Sequence, residues 1–173
     1  MRQGGERDGF ERLDLISGYG IAFGPVYLNR SQRKLGFAVE PRHLNPFGVC
    51  HGGAMATFAD LQIIAVNDGP RVKPGFSPTV SMSVDYLSPA RLGDWVEAAV
   101  TLAKATRTLI FTQALITANG EPVARTTALY RNVGLDAQGA ARMGRLVAHE
   151  GGPAGEGAQP TLAQIPRGKE ATP

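Results

Sequence analysis

The chain has 173 residues, 43% of them hydrophobic, with 18 Lys and Arg against 15 Asp and Glu for a net charge of +3. That length holds one domain with a real core and some tail, and the balance is too weakly basic to mark nucleic acid as the partner. The single cysteine, Cys50, excludes an internal disulfide and suits a reducing compartment. The opening residues hold no apolar run of the kind a secretory leader needs, and no segment has the uncharged length to span a bilayer, so a cytoplasmic location is expected.

Residues 1–9 are polar and glycine-bearing and read as a frayed start. Phe10, Leu13 and Ile16, spaced by three, predict a short helix over residues 10–17. Gly18, Gly20 and Gly24–Pro25 then break the chain. Strands are expected over residues 26–29 and 35–40, joined by the polar turn 30–34; in the second, Leu35, Phe37 and Val39 alternate with Gly36, Ala38 and Glu40. A loop follows to Cys50.

Residues 45–66, NPFGVCHGGAMATFADLQIIAV, organise the rest. Met55, Phe58, Ala59, Ile63 and Val66 recur at helical spacing, and Leu61, Ile64 and Ala65 make the other faces apolar, so one long helix buried nearly all round is expected. Asp60 is the one ionisable side chain between Gly52 and Val66. A lone carboxylate there is costly unless paired, hydrogen-bonded or used. As chemistry it is a base or nucleophile at an acyl carbon; as structure it is a buried Asp tied to backbone or arginine. Gly52 and Gly53 let a ligand approach the main chain closely, at a helix start whose first N–H groups lack partners. Asp60 lies about 12 Å along the axis from Gly52, so the two cannot serve one carbonyl within a chain. A second, antiparallel copy of the helix would bring each Asp60 towards the other's Gly52 and predicts a homodimer with shared sites.

Of the flanking residues, His51 reads equally as a substrate-facing donor or a helix-start cap. Asn45 precedes a proline and, on its own, favours a turn. Cys50 has no visible triad partner and reads as a small buried side chain. The three histidines are too scattered for a metal site.

Beyond a Pro- and Gly-punctuated loop, residues 67–78, four strands are expected over 79–87, 95–103, 108–118 and 123–133. In the first, Val80, Met82, Val84 and Tyr86 alternate against Thr79, Ser81, Ser83 and Asp85. Asn119–Gly120 signals a hairpin, and short connections make neighbouring strands antiparallel. The fold class is α+β, a curved antiparallel sheet around one long helix. The last 40 residues hold eight glycines and four prolines and read as a largely disordered tail.

Asn45, then Gly48-Val49-Cys50-His51-Gly52-Gly53, then Asp60, with the later Ser88-Pro89-Ala90-Arg91-Leu92-Gly93 turn, resembles the hotdog-fold acyl-CoA thioesterases, in the branch of the phenylacetate-pathway thioesterase and the thioesterase superfamily proteins. The resemblance spans residues 24–134, leaving 1–23 as an extension and 135–173 as the tail. It implies hydrolysis of acyl-CoA to free acid and CoA by a homodimer or homotetramer, with no cofactor or metal, CoA being part of the substrate. By position it makes Gly52 the main-chain donor to the thioester carbonyl, His51 the support of that loop and Asp60 of the partner subunit the base or nucleophile. Asn45 positions water or the leaving thiolate, and Thr79 sits near the carboxylate. Arg91 and Arg107 are candidates for the CoA phosphates. Two other readings stay open: a hydratase or dehydratase of acyl thioesters, and a non-catalytic acyl-CoA sensor.

Overall fold

The computed structural model describes residues 9–13, 15 and 18–134; the start 1–8 and the tail 135–173 lie outside the described residues. Among the described residues one antiparallel sheet holds seven strands: β1 (Glu11–Leu13), β2 (Val26–Asn29), β3 (Lys34–Ala38), β4 (Thr79–Tyr86), β5 (Trp95–Ala105), β6 (Leu109–Ala118) and β7 (Glu121–Arg131). Their order across the sheet is β1-β2-β3-β5-β6-β7-β4. Helix α1 (Gly18–Phe23) precedes β2, and α2 (Gly52–Asp60) lies against the inner face of the sheet, continued by a 3₁₀ segment, Leu61–Val66. This is the sheet-around-a-helix architecture, the hotdog fold, that the sequence predicts.

The alternation in the strands decides which face meets the helix. Along β6, Ile110, Thr112, Ala114, Ile116 and Ala118 are buried while the residues between them are exposed or half-buried. Met55, Phe58 and Ala59 are the buried stripe of α2. Phe58 packs on Phe37 of β3 with ring centroids 4.6 Å apart; each such fully buried side chain contributes roughly 1.5–3 kcal/mol. Asn119 and Gly120, both at positive φ (49° and 96°), make the tight turn that the Asn–Gly pair promises between β6 and β7.

Four expectations change. Residues 11–13 are a strand, not part of a helix: β1 pairs with β2, Glu11 opposite Leu28, and Phe10 meets the Trp95 ring edge-on at 5.5 Å. The cross-strand pairing outweighs the weak period of three. Residues 18–23 form α1 although two of them are glycines, because Phe23 anchors that turn in the core. Gly24, at φ 105°, then ends the helix, its N–H donating to the Gly20 carbonyl at 3.1 Å, as a left-handed cap does. The central α-helix stops at Asp60, six residues early, and within one chain it is buried on one stripe only. Finally, β4 does not pair with β5. It lies at the far edge beside β7, while β5 pairs with β3, so the connection through residues 87–94 crosses from one region of the sheet to another.

Candidate functional site at the two ends of the central helix

The loop entering α2 is shaped by its own side chains. Asn45 Oδ1 accepts the N–H groups of Phe47 at 2.9 Å and Val49 at 3.3 Å, so its carbonyl side makes the turn that Asn–Pro favours. Its amide NH₂ has no partner among the described residues. His51 is the N-cap: its Nδ1 accepts the Gly53 N–H at 2.8 Å, and its own N–H donates to the His43 carbonyl at 2.7 Å. The Tyr86 hydroxyl donates to the Gly52 carbonyl at 2.8 Å. The Gly52 N–H meets no acceptor among the described residues. It stands at the positive end of the helix dipole, a ready donor for an oxygen that gains negative charge.

At the other end, Asp60 is half-buried. Thr79 donates its hydroxyl to Asp60 Oδ1 at 2.8 Å, which places Thr79 beside the carboxylate. Simple alternation puts Thr79 on the outer face with Ser81 and Ser83. The structure resolves the conflict with a β-bulge. Thr79 pairs with Tyr130 and Ser81 with Leu129, so Val80 is an extra residue. One inserted residue reverses the parity of the strand beyond it, and Thr79 joins Met82 and Val84 on the helix side.

Behind the carboxylate lies a polar cluster. Tyr130, fully buried, donates its hydroxyl to the Asp60 main-chain carbonyl at 2.8 Å. Burial first, and the Asp60 charge second, push the Tyr130 phenol well above its ordinary pKa, so it remains a protonated donor. Gln62, 0% exposed, donates its amide to the Ala59 carbonyl at 3.0 Å and to Thr126 Oγ1 at 3.4 Å. Its Oε1 meets no donor, a defect worth about 1–3 kcal/mol of stability.

Strand β4 thus touches both ends of α2, Thr79 at Asp60 and Tyr86 at Gly52. Gly52 and Asp60 are the first and last residues of the helix, about 12 Å apart along its axis. Arg91 lies beside the motif loop, through the bridge between Val49 and Arg91. Arg107 sits in the turn beyond the far end of β5, about 30 Å or more away along the strand; one chain does not bring these two arginines together. Arg107 belongs instead with the 71–73 loop. Asn132 donates to the Arg71 and Thr106 carbonyls at 2.8 and 2.7 Å and accepts the Lys73 N–H at 2.8 Å.

Burial pushes the Cys50 thiol up to about 11, which keeps it protonated near neutrality and unsuited to nucleophilic attack. His43 is structural: Nδ1 accepts the Glu40 N–H at 2.9 Å, and Nε2 donates to the Phe23 carbonyl at 2.6 Å. Among the described residues no cluster of His, Cys, Asp and Glu could hold a metal, and no helix is long and apolar enough to cross a membrane. A groove of about 330 Å³ beside His51 is lined by Tyr19, Phe23, Arg42, His43 and Ala54. A wider concavity of about 610 Å³ lies on the sheet near Asp85, Gln113 and Arg125.

Sequence reasoning missed Tyr86, Tyr130 and Gln62 as site residues. Tyr86 and Tyr130 fall in apolar alternating runs and read as packing. The signal was the hydroxyl, since a tyrosine tip near buried polar groups ordinarily finds a partner.

Residues 47–124 match the family model described as the thioesterase superfamily. A putative esterase of Caenorhabditis elegans is 36% identical over 88 residues, 51% of this chain and 52% of that protein. Human acyl-coenzyme A thioesterase 13 is 37% identical over 90 residues, 50% of this chain and 63% of that protein. The chain therefore spans between about half and two-thirds of the length of these relatives. Among solved structures, the zebra fish thioesterase superfamily member 2 matches with a TM-score of 0.53 at 25% identity, over 72% of this chain and 82% of that one.

Proposed function

We propose, from the match of residues 47–124 to the thioesterase superfamily model, that the chain hydrolyses acyl-CoA thioesters to the free acid and CoA. The observation that carries the proposal is the Thr79 hydroxyl donating to Asp60 Oδ1 at 2.8 Å, on the same helix whose first residue offers an unpartnered main-chain N–H. An oriented carboxylate and a helix-start donor are the two things that water addition to a thioester needs.

In the proposed reaction the Gly52 N–H holds the thioester oxygen as it becomes an oxyanion, a contribution of roughly a hundred- to a thousandfold in rate. Asp60 of the partner subunit removes a proton from water attacking the carbonyl carbon, or attacks that carbon itself. The C–S bond breaks, and the thiolate leaves to become the CoA thiol. His51 keeps the loop and Gly53 in place. The free NH₂ of Asn45 points to a role with the water or the departing sulfur. CoA is substrate and product, and no further cofactor enters the scheme.

The scheme requires two chains. Strand β4 is an outer strand with one edge unpaired among the described residues, and Val80 and Tyr86 on it and Leu87 after it are exposed. Such an edge invites pairing with another copy. An antiparallel arrangement of two α2 helices would set Asp60 of the partner subunit near Gly52. It would also bring the Arg91 end of one chain alongside the Arg107 end of the other, where a nucleotide's phosphates could meet both. The assembly is a homodimer, or a homotetramer built from it.

The test is thiol release from a panel of aryl- and fatty-acyl-CoAs, for the wild type and for Asp60→Asn. Turnover by the wild type with a fall of at least about a hundredfold in the variant is the expected result. Undiminished turnover in Asp60→Asn would remove Asp60 from the mechanism, and binding of every acyl-CoA without hydrolysis would favour a sensor.

A further inference from the structure

We propose that Tyr130 is a positioning residue for Asp60: with its cross-strand neighbour Thr79 it forms a two-hydroxyl clamp that fixes the helix end carrying the reactive carboxylate. The inference rests on the reading of Asp60 as the base or nucleophile.

Thr79 and Tyr130 are directly paired residues of β4 and β7. Both project towards α2 and both donate to the same residue. Thr79 takes Oδ1 of the side chain, and Tyr130 takes the main-chain oxygen, each at 2.8 Å. The bond to the main chain falls where the α-helix gives way to the 3₁₀ segment. The last carbonyls of an α-helix lack intrahelical donors, so an external hydroxyl at this point settles where the helix ends and in which direction the Cα–Cβ bond of Asp60 leaves it. The carboxylate is then held at both of its handles, and a reacting group misplaced by an ångström loses much of its rate.

The phenol sits among polar groups. Thr112, Gln62 and the Ile63 main chain lie close enough to influence it, while burial and the Asp60 charge keep it protonated. Gln62 stays in this cluster with its Oε1 unpartnered. An apolar residue at position 62 would serve packing alone without that defect. Polar groups kept at a cost to stability behind a reactive side chain point to orientation of that side chain.

The experiment compares steady-state hydrolysis of the best acyl-CoA by wild type, Tyr130→Phe, Asp60→Asn and the double variant, with thermal unfolding recorded for each. The clamp predicts that Tyr130→Phe lowers kcat about tenfold, one hydrogen bond's worth of misalignment, with KM within about twofold of wild type. It predicts no further loss when Tyr130→Phe is added to Asp60→Asn, since both act through one carboxylate. A residue that only packs would lower the unfolding temperature and leave kcat per folded molecule unchanged; that outcome overturns the proposal, as does an equal loss in the Asp60→Asn background. Thr112→Val keeps the shape of a buried side chain while removing a hydroxyl from beside the phenol. If Tyr130→Phe does not fold, a fall in kcat at constant KM in Thr112→Val supports the clamp and an unchanged kcat overturns it. Wild-type activity that depends on Asp60 but not on Tyr130 refutes the clamp alone, whereas a wild type inert towards every thioester refutes the hydrolase reading and the clamp with it.

Discussion

The two ends of α2 are built from different materials. At Gly52 the functional group is a main-chain N–H, and what surrounds it is loop: Asn45 turning the chain, His51 capping it, Tyr86 holding the next carbonyl. Phe47, in that loop, is 90% exposed. At Asp60 the functional group is a side chain, and what surrounds it is sheet: Thr79 in front, with Tyr130 and Gln62 buried behind. A main-chain donor is placed by the helix itself and needs only room and a cap. A carboxylate has free torsions and must be held by neighbours from other elements.

That contrast can be broken or sharpened by substitution. Asp60→Asn sets the upper limit, at least about a hundredfold in turnover. Below it comes Thr79→Val, which deletes the charge-assisted bond to Oδ1. Turnover should fall about tenfold with unfolding temperature nearly unchanged, and Thr79→Ser should restore most of it; equal activity in the Val and Ser variants would show that the hydroxyl does not orient the carboxylate. Tyr86→Phe removes a donor from the Gly52 carbonyl at an exposed position. The helix start is held by its own geometry, so a loss of only about threefold is expected, and a larger loss than in Thr79→Val would reverse the contrast drawn here. The smallest effect belongs to Cys50. With its thiol pushed up to about 11, alkylation should be slow at pH 7 and accelerate about tenfold per pH unit up to that value, and Cys50→Ala should hydrolyse substrate as wild type does. Rapid modification at pH 7 with loss of turnover would contradict the protonated, non-nucleophilic thiol.

The start of the site was the more legible end in sequence. Gly52 and Gly53, the cap at His51 and the Asn–Pro turn are local, and local chemistry is written in adjacent residues. Asp60 stood out for its isolation in an apolar run, but nothing nearby announces what holds it. Thr79 reaches it through a bulge that exists only because β4 meets β7, and Tyr130 lies 70 residues further along the chain. The same division runs through the fold. The β5–β6–β7 meander and the α+β class follow from alternation and turns. The strand at residues 11–13 and the edge position of β4 follow from long-range pairing, which no window of sequence displays. The early end of α2 falls where the Tyr130 hydroxyl meets the Asp60 carbonyl, while the helical spacing of apolar residues continues past it to Val66.

The bulge at Val80 also bears on how such a chain tolerates change in length rather than in letters. Removing that residue would leave every side chain named in the site intact, together with the pairing of β4 from Ser81 onward. Thr79 would then adjoin Ser81 directly, opposite Tyr130 as before, and regular alternation would keep it on the helix side beside the carboxylate. A deleted codon at this point therefore spares the chemistry, whereas one more residue between Thr79 and Ser81 would turn Thr79 to the opposite face and strip the carboxylate of its front partner. The reading frame of the strand, counted from the bulge, is as much a part of the site as the residues it delivers.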